Sequence, residues 1–300
     1  MGRTMVKETP YSFLLAIDGS THANRAAAYL AGHAARLRPC EVHLVKVLTL
    51  RMAALLTPQQ QSLLRGADSD TAPARRMLDA AGIDYRFHCE WGNPSDRIID
   101  LVRSQGCEEV VVGSRGMSAL ESFAFGSVAY KIVHLSPVPV TVVPNPTEAH
   151  KLGVEDRDGI HRILLAVDGS SPAAKAVDYV CSLRDARIPV GVQLLSVQIP
   201  IASRNVQRFV PQDTIDAYYR AEGEEALDAA KKSLQEAGLA FDEHILIGHP
   251  GQTIVSQASH WRCSRIVMGT RGLGALANVM IGSTALQVMH LSQMPVTLVK

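Results

Sequence analysis

The chain has 300 residues, 47% of them hydrophobic and 20% charged, and a net charge of +1. That length makes two domains of ordinary size, each able to bury its own core. The balanced charge argues against nucleic acid or an anionic membrane as partner, and five scattered cysteines with no C-x-x-C argue against a disulfide framework or a zinc site.

In chain order, Met1–Pro10 lacks the apolar run of a signal peptide, so a cytoplasmic location is expected. Phe13–Ile17 reads as a buried strand, Ala23–Leu37 as an Ala-rich helix and Val42–Leu48 as a second strand. A helix over Ala72–Ala81, a strand over Tyr85–Glu90 and a helix over Ser95–Ser104 follow. Glu109–Val112 is a strand, Ser127–Leu135 a helix and Val140–Val143 a last strand. Polar, aperiodic residues 146–159 form a linker between domains 1–145 and 160–300. The second half repeats the pattern, with a longer polar helix over Asp213–Ala237. Residues Thr49–Thr71 and Gln198–Gln212 are the least readable and are assigned to loops and helix starts. Gly272–Val299 carries no Asp, Glu, Lys or Arg, but Asn278, Gln287, His290, Gln293 and Pro295 break it, so it does not read as a membrane span.

The two halves are copies of one another. LLAIDGS at Leu14–Ser20 matches LLAVDGS at Leu164–Ser170, and PVTVV at Pro139–Val143 matches PVTLV at Pro295–Val299. WGNPSDRII at Trp91–Ile99 corresponds to IGHPGQTIV at Ile247–Val255. The offset is 150 between Asp18 and Asp168 and 156 between Gly113 and Gly269, so the second half holds roughly six extra residues between. Unbroken apolar strands separated by helices indicate a parallel sheet covered on both faces, an α/β fold present twice.

GSRGMSALESFAFGS at Gly113–Ser127 and GTRGLGALANVMIGS at Gly269–Ser283 share the skeleton G-x2-G-x9-G-S, each leaving a strand and entering a helix. Such a loop suits phosphate, because backbone N–H groups approach closely where no Cβ stands and a helix start adds unpaired donors. It is neither G-x4-G-K-[ST] nor G-x-G-x-x-G. Glycines that merely shape a tight loop are the alternative. The eleven His are scattered and read as structural or surface residues, and Cys107 and Cys263 occupy equivalent positions that read as buried.

On these strings the chain resembles the tandem universal stress proteins, nearly end to end, in the branch whose ATP-binding signature is G-x2-G-x9-G-[ST]. The resemblance implies two Rossmann-like, doubly wound parallel five-stranded sheets, strand order 3-2-1-4-5, arranged as a pseudo-dimer through the final strands. It implies ATP with magnesium as ligand. Asp18 and Asp168 would contact the ribose or the phosphate-side metal, and Val47, Val197, Val112 and Met268 would line the adenine pocket. Gly113, Gly116, Gly126 and Ser127 would cradle phosphates, as would Gly269, Gly272, Gly282 and Ser283. Arg115 and Arg271, inside the loops, are placed for charge-assisted phosphate contact. Each Asp also reads as a turn former in D-G-S, each Val as plain core and each Arg as solvated. Ala16-Ile17 and Ala166-Val167 stand where some members carry proline.

The expected function is ATP binding in stress response or signalling, through a nucleotide-dependent state presented to a protein partner. A slow ATPase or autophosphorylating enzyme is the alternative, and an interaction module stabilised by nucleotide another. The absent P-loop lysine argues against fast hydrolysis. Further homodimerisation is left open.

Overall fold

The computed structural model describes residues 10–34, 39–49, 70–115, 126–144, 161–185, 190–201, 210–272 and 281–300. The chain divides into two compact units, Met1–Val138 and Pro139–Lys300.

The first unit runs β1 (Tyr11–Ile17), α1 (Thr21–Ala34), β2 (Cys40–Leu48), α2 (Ala72–Ala80), β3 (Asp84–Trp91), α3 (Pro94–Gln105), β4 (Glu109–Gly113) and α4 (Ser127–Leu135). Its strands lie in the order β3-β2-β1-β4, all parallel, with Phe13 opposite Val42 on one side and Glu109 on the other. Phe13, Leu14, Leu15, Val110 and Val111 are buried, as unbroken apolar strands covered on both faces require. α1 packs through Ala23, Ala26, Ala27, Leu30, Ala31 and Ala34, the spacing of one helical face. α3 has both of its ends encoded locally. Asn93 accepts the Ser95 N–H at 3.1 Å, Pro94 opens the first turn, and Gly106 ends the helix at φ 66°.

The second unit holds β5 (Val140–Val143), β6 (His161–Ala166), α5 (Ser171–Asp185), β7 (Val190–Gln198), α6 (Gln212–Glu236), β8 (Phe241–Ile247), α7 (Pro250–His260), β9 (Arg265–Gly269), α8 (Ser283–Leu291) and β10 (Val296–Val299). Strands β8-β7-β6-β9-β10 realise the expected 3-2-1-4-5 order in full and are parallel. α6 crosses β8 closely because Gly223 has no side chain: a Cβ there would run into Ile245.

β5 belongs to the first repeat by sequence, yet it falls in the second compact unit and pairs antiparallel with β10. The register sets Val142 against Val296, Thr141 against Thr297 and Val140 against Leu298. An apolar final strand left at a sheet edge is an aggregation hazard, and this pairing covers it. At its centre the two threonine hydroxyls, both wholly buried, lie 2.7 Å apart. The Cys pair follows expectation: Cys107 and Cys263 are buried, and burial pushes the Cys263 thiol up to about 12. Among the described residues no helix is long and apolar enough to cross a membrane.

Both units carry a polar pair between their second and third strands. His43 Nδ1 and His88 Nε2 are 3.0 Å apart with the rings stacked. At the equivalent positions His244 Nε2 meets Gln193 Oε1 at 2.8 Å. The His pair shares one proton, so one ring must stay neutral to accept it. Desolvation by burial lowers both groups below the ordinary 6.5. A folded-state value below the unfolded one gives stability that is present above about pH 6.5 and lost as pH falls through the folded value. The urea midpoint of the first unit is therefore expected to fall on acidification below about pH 6.5. His43→Gln, which installs the second unit's chemistry, should flatten that fall; an unchanged pH profile would sink the assignment.

Candidate functional site

In an open parallel sheet the ligand crevice lies beyond the carboxyl ends of the strands, where the order reverses. In each unit two motifs meet there: the D-G-S turn after the first strand and the glycine loop after the fourth.

The D-G-S turns are built alike. The Ser20 N–H donates to Asp18 Oδ1 at 3.0 Å, and the Ser170 N–H to Asp168 Oδ1 at 3.1 Å. Gly19 and Gly169 take φ of 84° and 77°, the left-handed region that this turn needs. The serine hydroxyls then cap the following helices, accepting the N–H of Ala23 at 3.1 Å and of Ala173 at 3.3 Å. One carboxylate oxygen of each Asp is thus engaged in its own turn.

The glycine loops are tied to these turns by close packing. A Cβ on Gly113 would lie 2.6 Å from the His22 carbonyl carbon, and one on Gly269 would lie 2.8 Å from that of Pro172. Both glycines let the first turn of a helix, α1 or α5, rest on the strand end. A Cβ on Gly272 would run into the Asp168 carboxylate. The Ser170 hydroxyl also donates to the Arg271 carbonyl at 3.4 Å. Gly116 lies outside the described residues.

The far end of each loop closes on its beginning. Gly126 N–H donates to the Ser114 carbonyl at 2.9 Å and Gly282 N–H to the Thr270 carbonyl at 2.8 Å. These N–H groups are therefore already used. The donors left at the helix starts belong to the residues that follow, from Ser127 and Ser283 onward, because neither α4 nor α8 has a side-chain cap. Ser127 and Ser283 are exposed. Gly126 and Gly282 have φ of −75° and −66°, which any residue adopts. Among the described residues, the nearest atoms to a Cβ on Gly282 are 3.4 Å away, ordinary contact. Neither backbone strain nor packing against the described residues asks for glycine at 282.

The apolar positions divide. Val47 and Val197 are half-buried at the carboxyl ends of β2 and β7, where Val47 directly follows Lys46, the partner of Ile17. Val112 and Met268 are buried in β4 and β9, and only 4% and 6% exposed. The first pair has surface left for a ligand; the second has little.

Around this shared plan the first unit holds polar groups that the sequence did not single out. Lys46, 5% exposed, reaches Asp70 at 2.7 Å, and the Asp70 Cβ would lie 2.9 Å from a Cβ on Gly19. His22 stands on the first turn of α1. Burial lowers its pKa, the Arg115 and Arg25 guanidinium groups lower it further, and Asp18 pulls the other way. Reading the His as scattered missed this residue. The signal was in the repeat, where the second half has Pro172 in place of His22.

Magnesium takes one or two carboxylates together with phosphate oxygens and water, and the half-buried Asp18 or Asp168 would supply the carboxylate in its unit. Among the described residues no three His, Cys, Asp or Glu gather into a metal site of their own.

Comparison with known proteins agrees with the repeat. The model of the Universal stress protein family matches residues 12–144 and again 159–300. A universal stress protein of Mycolicibacterium smegmatis is 22% identical over 97% of this chain and 98% of its own length. Universal stress protein YxiE of Bacillus subtilis is 28% identical over 47% of this chain and 99% of its own. In fold, the chain is similar to a universal stress protein from Archaeoglobus fulgidus, with a TM-score of 0.70 at 22% identity, covering 97% of this chain and 99% of that one. With the family's model matched once in each half, the chain belongs to the universal stress protein family, in tandem form.

Proposed function

We propose that each half binds one adenine nucleotide, ATP with magnesium, and that the chain serves the stress response by presenting a nucleotide-dependent state to a partner. Membership of the family supports the stress-response role. The observation that carries the nucleotide reading is Gly282. A glycine that neither its backbone angles nor its described neighbours require is explained by something that comes close from outside. In this reading the exposed Ser127 and Ser283 hydroxyls and the N–H groups behind them bind phosphate, and Asp18 and Asp168 accept ribose hydroxyls or hold the metal. Val47 and Val197 offer their exposed faces to the base. The ATP supplies charge and a base to bind, and the chain orders its loops around it.

Turnover is slow in this reading, below the enzyme median of roughly 10 per second. The loop offers backbone donors, a hydroxyl and Arg115 or Arg271, but no lysine before the serine to gather charge in the transition state. Ligand released from denatured protein should include an adenine nucleotide, and calorimetry should give up to two ATP per chain. Arg115→Ala with Arg271→Ala should weaken ATP more than AMP. No nucleotide bound at millimolar ATP would end this reading; several turnovers per second, abolished by the double variant, would replace it with an enzyme.

A further inference from the structure

β3 ends the row of strands and is held to it through β2 alone. The rings of His43 and His88 tie these two strands diagonally, with His43 opposite Arg86 in register and His88 opposite Val45. His43 is 3% exposed, so solvent offers its ring little in exchange for that bond. A contact of 3.0 Å between Nδ1 and Nε2 needs one proton between two nitrogens. With both rings protonated, two N–H groups would point at each other and two positive charges would share one buried contact. The charged groups that act on the rings are Glu41, Glu90 and Arg86. The carboxylates favour protonation and the guanidinium opposes it, Glu41 is paired with Arg86, and burial is the largest effect on both rings. From β1 the neighbour of His43 is Leu14. α3, packed on β2, turns Ile98, Ile99, Leu101 and Val102 inward and leaves its charged side chains exposed.

The second half has the same strands without the pair. His244 stands at the position of His88, but Gln193 stands at that of His43. The Gln193 amide gives its NH2 to the Asp242 carboxylate at 2.7 Å, which turns its oxygen toward His244 Nε2. That oxygen accepts from a neutral or a charged ring alike, so the contact survives protonation. In the first half the strand at stake also flanks the crevice. Two residues beyond His88, Glu90 lies opposite Val47, and the Gly92 N–H donates to the Leu48 carbonyl at 3.0 Å.

We infer that the His43–His88 contact is an acid-operated latch on the edge strand: charging both rings breaks it, so acidification loosens β3 beside the first half's crevice and spares β8 in the second. That the crevice takes a nucleotide rests on the reading above; the latch concerns β3 alone.

Hydrogen exchange of the full chain at pH 7.5 and pH 5.5, corrected for the intrinsic rate, reads the latch, with β8 as internal control. A ring of ordinary pKa about 6.5, once freed from the fold, favours opening by about tenfold at pH 5.5. With two such rings, β3 of the parent should lose more than about tenfold in protection, and β8, with His244 alone, less. His43→Gln copies the second half, keeps a bond across the strands and should bring β3 down to the β8 response. Gln193→His should raise β8 toward that of β3. Equal losses in β3 and β8 of the parent, or a β3 loss that His43→Gln leaves unchanged, overturns the inference. Saturating ATP separates the latch from the ligand. A nucleotide seated against Val47 binds the closed strand and should restore protection to β3 at pH 5.5. If β3 shows the latch and ATP does not slow its exchange, the latch stands and the nucleotide reading of the first half falls.

Discussion

Gly282→Val is expected to remove one ATP site from the chain while leaving the fold standing. The position has φ −66°, open to any residue, and the nearest described atoms to a new Cβ are the Arg271 Cα and the Thr270 carbonyl oxygen at 3.4 Å. The Gly282 N–H donates to the Thr270 carbonyl, and valine keeps that N–H. What valine adds is bulk in front of the first turn of α8, where phosphate would approach in the proposed reading. Calorimetry should show one ATP site lost, with the urea midpoint within experimental reach of the parent. Gly126→Val, at φ −75°, should remove the other. Two variants that bind as the parent does would show that the loops hold something else or nothing.

Gly269→Ala should do the opposite: damage the fold first and binding only through it. A Cβ there meets the Pro172 carbonyl carbon at 2.8 Å and the Ala173 nitrogen at 2.9 Å, both backbone atoms that cannot step aside alone. Relief requires α5 to lift off the end of β9. Overpacking of this kind costs about 1–3 kcal/mol, occasionally more. Gly113→Ala should cost at least as much, since its Cβ meets the His22 carbonyl carbon at 2.6 Å. Urea unfolding should place each loss in its own unit. A midpoint unchanged by Gly269→Ala would mean that the helix start is not packed as described. Two glycines of one motif thus separate by mechanism, one serving the fold and one the surface in front of it.

The sequence made the strands legible because unbroken apolar runs such as Leu14–Leu15 and Val110–Val112 have few ways to be buried. Helix bounds were legible where the signal was local, as with Asn93, Pro94 and Gly106 around α3. What could not be read was which glycine serves which purpose. Gly113, Gly269, Gly272 and Gly282 look alike in a string, and only a neighbour's position tells a crowded Cβ site from an open one. Nor could periodicity show that the Gly126 and Gly282 N–H groups are turned inward to close their loops. His22 was invisible for another reason. Residues the two repeats share had carried the argument, and His22 is one they do not.

The buried hydroxyls of Thr141 and Thr297 bind the two repeats in a different currency, that of inheritance. They are the same position in the two copies, 156 residues apart, and they face each other. Thr141→Val alone takes away the bond to the Thr297 hydroxyl, at about 1–3 kcal/mol, while replacing both by valine approaches neutrality. His22 and Pro172 are twins that differ, whereas at Thr141 and Thr297 the cost of changing one residue depends on what stands at its twin.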